Sequence, residues 1–517
     1  RARAPRAPRP SARGAHRRPG AMVVLGTMRF DPKNTKMSTI VPTGAAFCVV
    51  TGMMIRRWWR MRNMPPTFTM GLPVLGPIIE FLKSPLDLFE KGYKKMGECF
   101  RVNFIAQDWI FLVGKDGQEF FFTMDKYLDQ AKLYAFTIPI FGPKVLYDTD
   151  YSTRMCQLRF IRERLTDDCL SSYVGVLERE VEQFFREEWG NEGVMDIRKS
   201  MIECLSRTSI RCLMGDELRA KMHDNATGSS ICDLLHTLEQ GMLPLSVFMP
   251  GAPIPRHRAR DAARKEMSEF LQPILDDRRK RMAASGGKLA QDDFLWKVMC
   301  STYPDGRPVS DEEIVGFLVA AFFGGMHNSS ITTSWSTLEI TTRPSLVRDL
   351  LAEQDACLGD RSKPFTFEGY GKMKKLRSTV METLRLHPPL MLLLRTVEAD
   401  VKYKQYSLPK GSVIAVSPNV AGMLDESFSN PSEYKPFRFE HGIPNEWAYI
   451  PFGGGRRLCK GQEFGFLQIM CVLSYMLRNY ELEALDGVTK PTIGEGMVIA
   501  PSQPCRVQYK RKAAGKA

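Results

Sequence analysis

Two stretches far apart in the chain alternate apolar and polar residues with the period of a strand. Cys99 to Gly114 does so near one end and Val401 to Val416 near the other, each long enough for a strand pair. Between them the period is that of a helix. Tyr173 to Trp189 is closed by Gly190, and Ala262 to Met282 ends in the charged run DDRRKR, which reads as a solvated helix end. The pattern predicts a mainly α body with small β-sheets built from sequence-distant strands.

One helix departs from the amphipathic rule. Ser310-Asp311-Glu312-Glu313 is a capping box with acids at the positive end of the helix dipole, and Ile314 to Phe323 is then apolar all round, so the helix should cross the core. Mid-course it changes to Gly324-Gly325-Met326-His327-Asn328-Ser329-Ser330 before helical patterning resumes towards Trp335. Glycines and short polar side chains weaken a buried helix. Either the fold tolerates a bend there, or a ligand lies against the gap and the polar groups handle a proton or water.

The N-terminal pattern is different. Residues 1–36 form a basic leader rich in Arg, Ala and Pro, in which Met22 and Met28 offer starts, as does Met37 just after it. Ser38 to Ile55 is uncharged and runs into Arg56, Arg57, Trp58, Trp59, Arg60 and Arg62, so 37–63 reads as a membrane anchor with a basic and aromatic stop. A cleaved signal peptide is the alternative. Met64-Pro65-Pro66 and the Gly71–Pro77 run make 64–80 a stiff connector, which leaves 81–517 as one large domain.

Composition narrows the classes. With 44% hydrophobic and 25% charged residues in 517, disordered, collagenous and polytopic membrane proteins drop out. Residues 1–63 hold 14 basic side chains against Asp31 alone, so they carry +13 of the net +14; the body is near neutral and no nucleic-acid partner is expected. Twelve scattered cysteines without a C-x-x-C pair argue for reduced thiols, and the seven histidines form no zinc motif.

The most specific local signal is Phe452-Gly453-Gly454-Gly455-Arg456-Arg457-Leu458-Cys459-Lys460-Gly461, followed by helical patterning. A cysteine on a glycine-rich loop at a helix N-terminus, beside two arginines, should have a lowered pKa and favour thiolate, the form that ligates iron, against the alternative of an idle buried cysteine. A phosphate loop would need a Walker lysine and a preceding buried strand, and neither is present.

Here the chain resembles the cytochromes P-450. Met381-Glu382-Thr383-Leu384-Arg385 matches their E-x-x-R helix, and Pro436-Phe437-Arg438-Phe439 follows at the family's place. The resemblance implies the P-450 fold, haem b with iron bound to Cys459, and a buried Glu382, Arg385 and Arg438 cluster bracing the cysteine loop. It narrows to the sterol 14α-demethylases through Tyr134 to Asp148 (YAFTIPIFGPKVLYD), whose spacing is similar to their substrate-wall signature. It then implies that Tyr134, Phe136, Phe141, Gly142, Met242, Phe323, Met326 and Leu392 line the sterol pocket, and that Tyr134, Tyr147, Arg159, Arg395, Phe452, Arg457, Cys459 and Gly461 hold the haem. Phe136 matches a position that is Phe where the substrate is a C4-monomethyl sterol such as obtusifoliol; an aromatic ring would crowd a second methyl group.

Further expectations come from the same resemblance. Three NADPH- and O2-dependent oxidations would release the 14α-methyl group as formate, with electrons from a flavoprotein reductase at an endoplasmic reticulum membrane. The reductase would dock where Arg456 and Lys460 add positive charge, unless they are a solvated basic face. The family's usual Thr is Asn328, and Ser329, rotated about 100° around the helix, cannot simply replace it. Glu239 and His327 are expected to pair as a proton entry, against the alternative of a core histidine on a backbone carbonyl. Another terpenoid specificity, an isomerase, or a haem-bearing sterol-binding protein with little turnover are the competing functions.

Overall fold

The alternating stretches at the two ends of the chain pair with each other. Strands β1 (Cys99–Phe104) and β2 (Gln107–Leu112) form an antiparallel hairpin in which Cys99 faces Leu112 and Phe104 faces Gln107. They are joined by β3 (Leu128–Asp129), β4 (Leu393–Val397) and β5 (Val413–Val416) in the order β1-β2-β5-β4-β3. The β2/β5 pair is parallel, with Trp109 opposite Val413. Strand β5 is buried on both faces, which is why its VIAV run does not alternate. A three-stranded sheet (Glu192–Asp196, Arg506–Arg511, Tyr480–Ala484) and two two-stranded ones complete the β content among the described residues.

This computed structural model describes residues 51–52, 62–71, 75–104, 107–223, 230–286, 293–360, 362–493 and 497–513. The chain divides into two units, 1–62 and 63–517. The leader 1–36 and nearly all of the anchor at 37–63 lie outside the described residues. The connector reading of 64–80 is corrected: Phe68 is buried, packs edge-on against Phe100, and donates its N–H to Arg101 O at 2.8 Å. Its aromatic side chain joins the β1 edge to the core, and Leu75 opens a helix, α1 (Leu75–Lys83).

The rest is helical. The helices that position the site are α2 (Lys115–Thr123), α3 (Asp167–Phe184), α4 (Ile197–Met214), α5 (Ile231–Gln240), α6 (Pro255–Ala284), α7 (Asp311–Phe322), α8 (Asn328–Thr341), α9 (Lys374–Leu386) and α10 (Gln462–Asn479). Helix α7 starts at the expected box: Ser310 Oγ accepts from the Glu313 N–H, and the Glu313 carboxylate accepts from the Ser310 N–H at 2.9 Å. After Phe322 the backbone makes one π-helical turn, Phe323–His327, and continues as α8. Such turns widen a helix locally and occur often at functional sites.

Helix α8 is buried although rich in Ser and Thr. Its hydroxyls stay inside the helix: Thr332, Thr333, Ser334 and Thr337 donate to the carbonyls of Asn328, Ser329, Ser330 and Thr333 at 2.7–2.8 Å. The continuous segment Asp311–Thr341 is apolar and long enough to cross a membrane, but 72% of its apolar 18-residue stretch is buried in the protein, as befits a core helix.

Candidate haem-thiolate site

The glycine loop folds as a tight return before α10. Cys459 donates its N–H to Phe452 O at 2.9 Å, and Leu458 donates to Gly455 O at 3.2 Å. Gly455 has φ +61, and a Cβ there would sit 2.7 Å from Phe122 O, so only glycine lets the loop press on α2. The Cys459 sulfur opens into a cavity of about 450 Å³. Contrary to expectation, its thiol is raised above its ordinary pKa although the residue is exposed to the cavity: desolvation by the protein around it dominates, opposed by the Gly461 N–H and Lys460. The two arginines do not reach the sulfur, since Arg456 is exposed and Arg457 turns to Asp125, 3.3 Å from its Nε, and to Leu128 O.

The same cavity is lined by Gly324, Gly325, Asn328, Ser329 and Thr332 from the π-helical turn and the start of α8, and by Phe452 and Gly461 from the cysteine loop. The two glycines leave the helix without side chains where it borders the cavity. Asn328 Oδ1 is buried without a hydrogen-bond partner. Ser329 faces α10, where a Cβ on Gly465 would lie 3.7 Å from its Oγ.

One edge of the cavity is cationic. Arg395 reaches Asp125 at 3.0 Å, and burial, reinforced by neighbouring Arg457, brings its pKa down to about 10. Tyr134 and Tyr147 stack at 4.9 Å beside them. Arg159 is not part of this edge: it is half exposed and pairs with Glu163 on the outer face of helix Tyr151–Arg162. Arg154 takes the inner place, 2.6 Å from Asp129. Its register with Gln157 and Phe160, the buried stripe of that helix, was the signal available in the sequence.

The residues fit haem. Arg457, which lines the cavity, has its Nη1 buried without a hydrogen-bond partner, as a propionate would require; Arg154 stands behind it on the shared Asp129, and a cysteine borders a largely apolar chamber. Behind the loop, Glu382 accepts from Arg385 Nε and Nη2 (both 2.8 Å), from Arg438 Nε at 3.0 Å and from the Lys435 N–H at 2.8 Å. Glu382 and Arg385 are buried together, as the spacing on α9 implied.

Glu239, in the last turn of α5, lies 3.0 Å from Nδ1 of His327 in the π-helical turn, and both are buried. Of the expected sterol-wall residues, only Tyr134 borders this cavity. Phe136 stacks on Tyr134 at 6.0 Å, Phe141 meets Phe323 edge-on at 6.4 Å, and Leu392 packs with Tyr134 in the core around β1 and β2. Met242 packs on the main core, and Met326 receives the Ser330 hydroxyl. Gly142 (φ +94) ends a short helix against the Arg264–Glu312 ion pair, where a Cβ would lie 2.6 Å from Arg264 Nη2. Aromatic packing takes the side chains of Phe136, Phe141 and Phe323 away from this cavity. The sequence reading missed Arg154, Asp125, Asp129 and the two phenylalanines Phe121 and Phe122.

A thiol on a glycine loop, facing an interrupted core helix across an apolar chamber with a cationic edge, defines a haem-thiolate protein. The family model for cytochrome P450 matches residues 65–509, and the chain belongs to that family. It is a monooxygenase whose haem iron is bound by thiolate. The chain is 36% identical to a sterol 14-demethylase of Arabidopsis thaliana over 88% of its length and 92% of the relative's. It is 34% identical to an obtusifoliol 14-alpha demethylase of Triticum aestivum over 87% and 98%. The solved structure of retinoic acid bound cyanobacterial CYP120A1 shares the fold, with a TM-score of 0.76 at 20% identity, covering 87% of this chain and 99% of that one.

Proposed function

We propose that the protein is a sterol 14α-demethylase with Cys459 as the iron ligand. The observation that carries the site assignment is that Cys459 and the Gly324–Gly325 gap line one cavity; the substrate class rests on the relatives' names. Bound haem supplies dioxygen activation, and a thiolate ligand favours O–O cleavage. The protein's own part is orientation and protons. Arg395 and Arg457, with the phenols of Tyr134 and Tyr147, would hold the propionates by charge-assisted hydrogen bonds, and Arg154 would support Arg457 through Asp129. Glu239 orients His327 through Nδ1, so that the other ring nitrogen can pass a proton towards Asn328. Asn328 both donates and accepts, which lets its amide order a water where the family usually has a hydroxyl.

Three such cycles oxidise the 14α-methyl group to alcohol, to aldehyde, and then cleave the C–C bond to release formate, each using one NADPH and one O2. Electrons come from an NADPH-dependent flavoprotein reductase docking beside Arg456 and Lys460. Phe136, stacked on the cavity-lining Tyr134, favours sterols with a single C4 methyl group such as obtusifoliol. The enzyme is tethered to the endoplasmic reticulum membrane by segment 38–55. The exposed apolar side chains Ile79, Leu82, Phe248 and Met249 support membrane contact, since Phe248 meets Phe81 of α1 at 5.5 Å and brings the two segments side by side.

The test is incubation of the purified protein with reductase, NADPH and obtusifoliol, with assay for the 14-desmethyl sterol and formate. Both products are expected. A sterol-induced spin shift with neither product would instead mark a sterol-binding protein, a reading that the missing hydroxyl at Asn328 favours.

A further inference from the structure

Away from the cavity, three side chains from separate elements converge at the surface. Glu203 lies in α4, His223 in the turn after helix Asp216–Ala220, and Cys232 in the first turn of α5. Their ligand atoms all lie within 4.8 Å of one another, and His223 Nε2 is 2.9 Å from Glu203 Oε1. The surroundings are short of positive charge. Arg207 alone serves three carboxylates, Glu203 (2.7 Å), Glu187 (2.8 Å) and Glu188 (2.6 Å), and Asp233 adjoins Cys232. A cation placed among the three ligands would offset that excess.

We propose that Glu203, His223 and Cys232 form a zinc site, with its fourth position open to water. A mixed sulfur, nitrogen and oxygen set suits Zn²⁺, whereas Ca²⁺ and Mg²⁺ take oxygen ligands. Binding exchanges the Cys232 thiol proton for the metal and releases it to the buffer, with no change of oxidation state. The ligands follow no sequence motif because turns and helix packing bring them together. Helix α5 carries Cys232 in its first turn and Glu239, the partner of His327, in its last, so the metal would pin to α4 the helix that holds the proton-relay carboxylate.

The test uses the haem-loaded full chain, freed of metal with a chelator and titrated with zinc chloride by calorimetry in two buffers of different protonation enthalpy. One zinc ion should bind with proton release, and zinc-edge X-ray absorption should show a sulfur neighbour at about 2.3 Å. His223→Gln, at a half-exposed position that leaves the core intact, and Cys232→Ser should each weaken binding at least about tenfold, since even loss of a ligand's supporting hydrogen bond has effects of that size. A zinc shell without sulfur, no binding, or affinity unchanged in both variants would overturn the assignment.

Discussion

Replacing Glu313 with Gln tests whether the head of the core helix is held by charge. The side chain is 1% exposed, and burial alone would raise its pKa. Arg307 donates to it at 2.8 and 3.1 Å, Ser310 through N–H and Oγ at 2.9 and 2.8 Å, and Tyr303 at 2.9 Å. Together they outweigh burial and bring it from 4.5 down to about 2. The folded value lies below the unfolded one, so the stabilisation is complete above about pH 4.5 and is lost as pH falls through about 2. That difference corresponds to about 3 kcal/mol at neutral pH. Glu313→Gln keeps the shape and removes the charge, so urea unfolding followed by tryptophan fluorescence should find it about 3 kcal/mol less stable at pH 7. The gap should shrink by ~1.4 kcal/mol for each pH unit below about 4.5. A gap that does not vary with pH, or one under about 1 kcal/mol at pH 7, would refute the reasoning.

The other predictions concern the site itself. Glu382→Gln leaves the Arg385 guanidinium buried without its counter-charge and should cost about 3–5 kcal/mol, read as loss of the thiolate-type carbon monoxide difference spectrum; a variant with full haem content would contradict the bracing role. His327→Ala should lower turnover about 100-fold and raise the NADPH consumed per product, and unchanged coupling would remove the relay from the mechanism. Phe136→Leu should shift the ratio of obtusifoliol to lanosterol turnover towards lanosterol by about tenfold, measured in competition; a constant ratio would show that the ring does not set the preference.

The parts most legible in the sequence were those fixed by local backbone chemistry. The Ser310–Glu313 box, the glycine interruption in the core helix and the cysteine loop appear where spacing placed them, and the Glu382–Arg385 pair follows from helical periodicity. Residues whose role depends on where a side chain points were harder. Arg159 and Arg154 lie on one helix, and only the buried stripe through Gln157 and Phe160 separates them. The thiol was expected low because two arginines stand beside it in the chain; in space, Asp125 and Asp129 draw Arg457 away and desolvation prevails. Phe141 and Gly142 were expected in the sterol wall, yet aromatic packing and an ion pair claim them.

The central sheet has a consequence for the order in which the protein assembles. Strand β2 pairs in parallel with β5, and Trp109 meets Val413 roughly 300 residues further along the chain. At ribosomal rates of about 5–20 residues per second, the hairpin waits ~15–60 s for its partner. Arg395 reaches the cavity from the late strand β4, Tyr134 follows the early strands, and Cys459 emerges after both. Until then the hairpin is closed on itself by the Phe100–Phe111 pair and covered by Phe68, Phe81 and Phe89, but the β2 edge lacks its partner strand β5. The nascent chain therefore presents an open β2 edge for most of its synthesis, which makes that edge the place where chaperone engagement and aggregation should begin.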